Sequence, residues 1–342
     1  MLQRTDRAKK KTILVAGGAG FVGSHLCDAL LSRGHRVLCL DSYLTGSRAN
    51  VLPLQNHPRF RMIEADICEL HEIDEPLDEI YNLACAASPP QYQADPVHTM
   101  MTCVLGTGNL LFLAERHAAA FLQASTSEVY GDPEEHPQRE DYWGHVNCTG
   151  PRACYDEGKR AAESLCFDSL RTGRADVRVA RIFNTYGPRM QSDDGRIVSN
   201  LIVQAIEQRS LTVYGTGLQT RSFCYVSDLV RGLMLLMDVR PNPGVPVNLG
   251  NPGEFTIREL AEMVLALIPT RSTIIYKPLP VDDPQRRRPD IGRARALLDW
   301  QPRVNLSDGL PRTVAWFQQS LAEGHYAPAR QVGPMALGQG AV

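Results

Sequence analysis

The chain has 342 residues, 43% of them hydrophobic, with 36 Lys and Arg against 38 Asp and Glu and a net charge of −2. That length buries a large domain and a smaller one, and the near-neutral balance excludes a bulk attraction to nucleic acid. The nine Cys are scattered with no CxxC pair, which argues against a disulfide framework or a structural metal site; no metal is expected, and a reducing cytoplasm is.

Residues 1–10 are basic and polar, and the apolar stretch after them is too short for a secretory leader, so they read as a flexible tail. No run elsewhere reaches the ~20 apolar residues of a membrane span. Residues 11–16 form a β-rich run leading into Gly17, Gly18, Ala19, Gly20, Phe21, Val22 and Gly23, after which residues 25–32 have helical apolar spacing. Strand, glycine turn and helix in that order hold a dinucleotide pyrophosphate: Gly17 makes the tight turn, Gly20 admits a close approach and Gly23 lets helix and strand pack. A second strand, 36–40, ends at Asp41. A carboxylate there accepts from the adenosine ribose and repels a 2′-phosphate, so NAD is expected over NADP. A third strand, 59–63, ends near Asp66, which reads either as a contact to the adenine edge or as a turn cap.

Alternation continues with strand 79–83, helix 97–117, strand 121–125, a helix over 156–170 and strand 177–181. This predicts a doubly wound parallel α/β Rossmann sheet over 11–181. Beyond Arg181 the chain is richer in Gly and Pro, with a helix at 197–208 and strands at 211–214 and 222–225. A smaller substrate-binding lobe is expected from 182–225 and 250–325. A helix capped at Ser227-Asp228 and a strand at 247–249 are expected to return to the large domain within 226–249. Thr256 and Glu259 form a capping box for a helix reaching Leu267, and 327–342 reads as a second flexible tail.

The chemistry concentrates between Ala124 and Lys159, in ASTSEVYG and GPRACYDEGK. Tyr155 and Lys159, four apart on a helix, share a face. A phenol of pKa ~10 needs its anion stabilised by about 3 units, roughly 4 kcal/mol, to take a proton from a sugar hydroxyl at neutral pH, and an ammonium can supply that. Only five of the 36 basic residues are Lys, so Lys159 reads as chosen for its compact, mobile head. With 11 Tyr in the chain, chance pairs at this spacing number about 0.16. Thr126 and Glu128 fall just past a strand's carboxyl end, where open α/β sheets build their sites.

Together with VRVARIFNTYGPRM, DGRIVSN, LTVYGTGLQTRSFCYVSDL, VNLGNP and DDPQRRRPDI, these segments make residues 11–317 resemble the extended short-chain dehydrogenase/reductases that act on nucleotide sugars, and among them the UDP-glucuronate decarboxylases. The resemblance implies NAD-dependent conversion of UDP-glucuronate to UDP-xylose: oxidation at C4, loss of carbon dioxide from the β-keto acid, and reduction back at C4. Tyr155 would be base and acid, Lys159 would hold it and the nicotinamide ribose, and Thr126 would bond the sugar O4. Ser127 stands where the dehydratases carry an acidic Asp, and the 4-epimerases lack an acid at Glu128; an acid or water-handling role for Glu128 near C5 therefore suits decarboxylation, the alternative being a cap or a pair with an Arg.

The resemblance further implies that NAD is held by Gly17, Gly20, Phe21, Val22, Gly23, Asp41, Ser42, Leu44, Thr45, Gly46, Asp66, Ile67, Leu83, Ala84, Cys85, Thr102, Ala124, Tyr155, Lys159 and Thr185. The UDP-sugar would meet Ser88 and Pro90 in a turn, Asn184, Tyr214, Arg221 and Arg287, with Arg196 either in the site or a solvated loop charge; arginines suit bidentate capture of diphosphate and carboxylate. Three residues depart from the pattern: Ala16 replaces Thr, Cys103 replaces Asn, and Cys85 replaces a small polar residue beside the cofactor. Apolar stripes on 97–117 and 156–170 match the family's homodimer interface. An epimerase, a dehydratase, an apiose-forming decarboxylase and a non-catalytic NAD-binding homologue are the competing readings; no nucleic-acid or membrane partner is expected.

Overall fold

A computed structural model describes residues 10–278 and 286–324; the predicted tails, save residue 10, and much of the DDPQRRRPDI segment lie outside them. Seven strands form one sheet: β1 (Thr12–Ala16), β2 (Arg36–Asp41), β3 (Phe60–Glu64), β4 (Glu79–Asn82), β5 (Ala120–Thr126), β6 (Asp176–Ile182) and β7 (Val247–Leu249). All are parallel, in the order β7-β6-β5-β4-β1-β2-β3. The order reverses between β1 and β4, and that crevice is where open sheets bind dinucleotides. Along β1, Ile13 and Val15 enter one core with Leu26, Leu229 and Leu233, while Leu14 and Ala16 enter the opposite core with Leu110, Phe121 and Val177. Both faces are covered, so the strands read as continuous apolar runs.

Three helices position the site. Helix α1 (Phe21–Ser32) follows the glycine turn. Helix α2 (Pro96–His117) is continuous in direction but contains a π-helical turn over Thr102–Gly106, which the apolar spacing does not foretell. It is long and apolar enough to cross a membrane, contrary to the sequence reading, but half of it is buried in this fold. Helix α3 (Ala153–Arg171) begins three residues before the expected start, which puts Tyr155 in its first turn.

The smaller lobe pairs Leu211–Tyr214 with Ile274–Lys277, and Thr220–Ser222 with Glu254–Thr256 and Arg286–Arg287. The expected strand at 222–225 is two, because Phe223 separates Thr220–Ser222 from Cys224–Tyr225. Ser227 and Asp228 do not cap the next helix, Val226–Asp238. Asp228 instead accepts from the backbone N–H groups of Arg303 (2.7 Å) and Val304 (2.8 Å), tying the C-terminal segment down. The capping box of Thr256 and Glu259 is present.

Candidate active site

A cavity of about 860 Å³ runs from the β1–α1 turn to the small lobe. Gly17 has φ +75°, and a Cβ on it would sit 2.7 Å from the Leu83 carbonyl carbon; only glycine takes that position without strain. A Cβ on Gly23 would run into the Gly17 carbonyl oxygen. No side chain caps α1, and Phe21 and Val22 line the cavity, so the first N–H groups of the helix are there for an anion. Asp41 is buried at the end of β2 and accepts from the Ala19 (2.9 Å) and Tyr43 (2.8 Å) N–H groups; burial raises its carboxyl despite those bonds. The turn, the uncapped helix and the carboxylate fit a dinucleotide with a free ribose. Gly46 is not on the wall: it packs against Asp41, where a Cβ would lie 2.6 Å from Oδ1. Gly23→Ala is expected to cost roughly 1–3 kcal/mol of stability and to weaken NAD binding by more than about tenfold. Calorimetric titration checks this; unchanged affinity would disconnect α1 from the pyrophosphate.

Asp66 caps the turn that follows β3 and also stands on the cavity wall. Its Oδ1 accepts from the Cys68 N–H at 2.8 Å, as a turn cap, while Oδ2 meets His98 Nε2 at 2.8 Å on the cavity wall.

At the far end, the carboxyl end of β5 carries Thr126, whose hydroxyl accepts from the Glu128 N–H at 3.2 Å and which shares the cavity wall with Tyr155. Lys159 donates from Nζ to the Ala124 carbonyl at 3.0 Å and lies 5.8 Å from the centroid of the Tyr155 ring. Tyr92 stacks on that ring, centroid to centroid 5.0 Å. Burial pushes the Tyr155 phenol well above its ordinary range, and Cys85 and Glu128 add to that. The lowered phenol expected from Lys159 is therefore absent in the chain alone, where desolvation outweighs the neighbouring cation.

Glu128 is gripped by two cations. Arg152, just ahead of α3, pairs with its Oε2, and Arg287 from the small lobe reaches Oε1 at 3.2 Å. Burial works against ionisation, but the charges of Arg287 and Arg152 outweigh it and hold the carboxyl down at about 2. The two guanidinium groups thus favour the ionised carboxyl in the chain alone, which suits an acceptor that orders water or a pairing partner. Asp156, hydrogen-bonded to Glu128, is pushed up to about 8 by burial and by the Glu128 charge. Between its ordinary 3.8 and 8 the folded chain keeps a proton that the unfolded chain has lost. Stability should therefore fall with rising pH in that window, by at most about 1.4 kcal/mol per unit. Asp156→Asn is expected to flatten this slope in urea midpoints measured against pH, and an unaltered slope would assign it to another group.

Among the substrate candidates, Pro90, Asn184, Arg196, Tyr214, Arg221 and Arg287 line the cavity. Arg196 stands on the wall paired with buried Asp194 at 3.4 Å, its side chain a third exposed. Ser88 is not on the wall; it is fully buried at the start of the short helix Pro89–Tyr92. Arg152, Asp156 and Tyr92, which surround Glu128 and Tyr155, are among the residues that escaped the sequence reading. The first two flank Tyr155 within its own motif, a signal that was there to use; Tyr92 had none.

The NAD dependent epimerase/dehydratase family profile matches residues 13–250. The chain is 52% identical over 333 residues to UDP-glucuronic acid decarboxylase 1 of Danio rerio, covering 96% of this chain and 79% of that protein. It is 54% identical over 314 residues to UDP-glucuronic acid decarboxylase 1 of Arabidopsis thaliana, covering 92% and 71%. A crystal structure of UDP-glucuronic acid 4-epimerase from Bacillus cereus, in complex with UDP-glucuronic acid and NAD, superposes with a TM-score of 0.82 at 28% identity, over 90% of this chain and 99% of that one.

Proposed function

The chain belongs to the NAD dependent epimerase/dehydratase family, and from that premise we propose that its cavity carries out the decarboxylation of UDP-glucuronate to UDP-xylose. The identity to UDP-glucuronic acid decarboxylases over more than nine tenths of the chain supports this activity. One observation carries the assignment to this cavity: Thr126, Tyr155 and Lys159 meet in it opposite an arginine-rich wall. Bound NAD would supply the oxidation at C4 and the reduction that ends the cycle. Tyr155 takes the proton of the O4 hydroxyl and later returns it, while Thr126 holds O4. The ketone at C4 is β to the C6 carboxylate, so the carbon–carbon bond breaks with its electrons flowing into an enolate, which is then protonated at C5. Glu128, held ionised, orders the water on that side, and Arg221 and Arg287 take the anionic parts of the substrate.

Helix α2 leaves Val97, Met101, Leu105 and Phe112 exposed, a stripe that supports a homodimer packed through this face. All nine Cys are free thiols, which supports a reducing, cytoplasmic setting. The test is purified protein with UDP-glucuronate and NAD, following released carbon dioxide and the sugar by NMR. Stoichiometric carbon dioxide with UDP-xylose and no net NADH is the expected result; UDP-galacturonate without carbon dioxide would move the assignment to a 4-epimerase.

A further inference from the structure

Cys85 and Cys103 come together where the sequence shows two unrelated departures from the family pattern. Cys85 follows β4 on the cavity wall, and Cys103 is the second residue of the π-turn in α2, buried against α3. Their Sγ atoms are 3.5 Å apart. The Cys85 thiol also reaches the Ala86 carbonyl at 3.2 Å, so its position is tied to that of the wall segment. Cys103 packs on Gly158, where a Cβ would come within 3.0 Å of the Cys103 Cβ; α3 therefore leaves the second sulfur little room to move away. A second close thiol pair, Cys27 with Cys39, is sealed, both residues being 0% exposed and absent from the cavity wall. Of the two pairs, only the first meets solutes in the cavity.

We propose that Cys85 and Cys103 are an oxidation site: a peroxide closes them to a disulfide at the cavity wall, and the bond reversibly shuts the enzyme down. The chemistry balances within the pair. Cys85, the sulfur on the cavity wall, passes its proton to the Cys103 thiolate as it attacks one peroxide oxygen; the O–O bond breaks, and protonation of the departing hydroxide leaves a sulfenic acid and one water. Cys103 then attacks that sulfur and a second water leaves, so two thiols and one hydrogen peroxide give one disulfide and two waters. The hydrogen bond from Cys85 pulls the Cys103 thiol down to about 7, against burial and with help from the Lys159 charge; the proton is shared across the contact, so the lowered value belongs to the pair. Closing the sulfurs draws Cys85 off the Ala86 carbonyl and moves the wall beside Tyr155 and Lys159. A misplacement of about 1 Å at a reacting centre can cost about 100-fold in rate.

The experiment treats the full-length enzyme with stoichiometric hydrogen peroxide and reads intact mass, a non-reducing peptide map and turnover. The expected result is loss of two hydrogens, a Cys85–Cys103 cross-linked peptide, and a fall in rate of at least about tenfold that dithiothreitol reverses and saturating NAD slows. Cys103→Ser, judged against its own untreated rate, should give no cross-link and no dithiothreitol-recoverable loss. Should that variant not fold, Cys85→Ser read by mass alone serves the same purpose. A cross-link through Cys154 or Cys27–Cys39, no cross-link at all, or a Cys85–Cys103 cross-link without loss of rate each overturns the proposal. Mass and peptide map do not depend on the substrate, so a wrong substrate assignment would show as an inactive enzyme that still cross-links.

Discussion

Tyr155→Phe is expected to lower turnover of UDP-glucuronate by about 10³-fold while leaving NAD binding and the urea midpoint near those of the parent chain. The substitution removes one oxygen and keeps the ring that stacks on Tyr92, so packing is retained and only the proton-transfer group goes. Thr126 has its own partner in the Glu128 N–H, so the loss of the phenol oxygen leaves its hydroxyl partnered. Because burial holds the phenol protonated in the unliganded chain, its proton must leave as ligands bind. The residual rate of the variant should accordingly lose the alkaline-rising limb that the parent shows in kcat/KM against pH. A fall of less than about tenfold, with the limb intact, would remove Tyr155 from the reaction and send the search to another base.

The parts of the site that were legible in advance are those written at short, fixed spacing. Gly17 to Gly23 and Asp41 lie on one strand–turn–helix–strand unit, and Tyr155 and Lys159 on one helix face, so local geometry alone brings each set together. What escaped is contact across the fold. Glu128 and Arg287 are 159 positions apart, and nothing in either segment names the other. Cys85 and Cys103 are 18 apart, but their meeting depends on a π-turn that apolar periodicity does not signal. Ser227-Asp228 misled for the opposite reason. It has the composition of a cap, yet tertiary partners at Arg303 and Val304 claimed the carboxylate, as happens wherever a long-range bond outcompetes a local one.

Glu128→Gln should be costly in a way that separates pairing from chemistry. Arg152 and Arg287 are 13% and 9% exposed, and the amide would keep an acceptor oxygen for one guanidinium while turning its N–H donors toward the other, which has only donors to offer. Removing one member of a buried ion pair costs about 3–5 kcal/mol, so a large fall in the urea midpoint at neutral pH is expected. The pH dependence fixes the cause. In the parent chain the Glu128 carboxyl is depressed from 4.5 to about 2, so its stabilisation is present above pH 4.5 and is lost as pH falls toward 2; in the variant that acid limb should vanish. Asp156 is raised partly by the Glu128 charge, so the variant should also flatten the decline of stability with rising pH, as Asp156→Asn does by another route. Turnover should drop by about 100-fold, because Arg287 is released from its fixed place on the wall and the ionised acceptor for water is gone. Loss of stability with turnover kept would leave Glu128 a pairing group only. Loss of turnover with stability and both pH limbs unchanged would mean that its carboxylate acts on the substrate directly and that the arginine cluster does not organise the site.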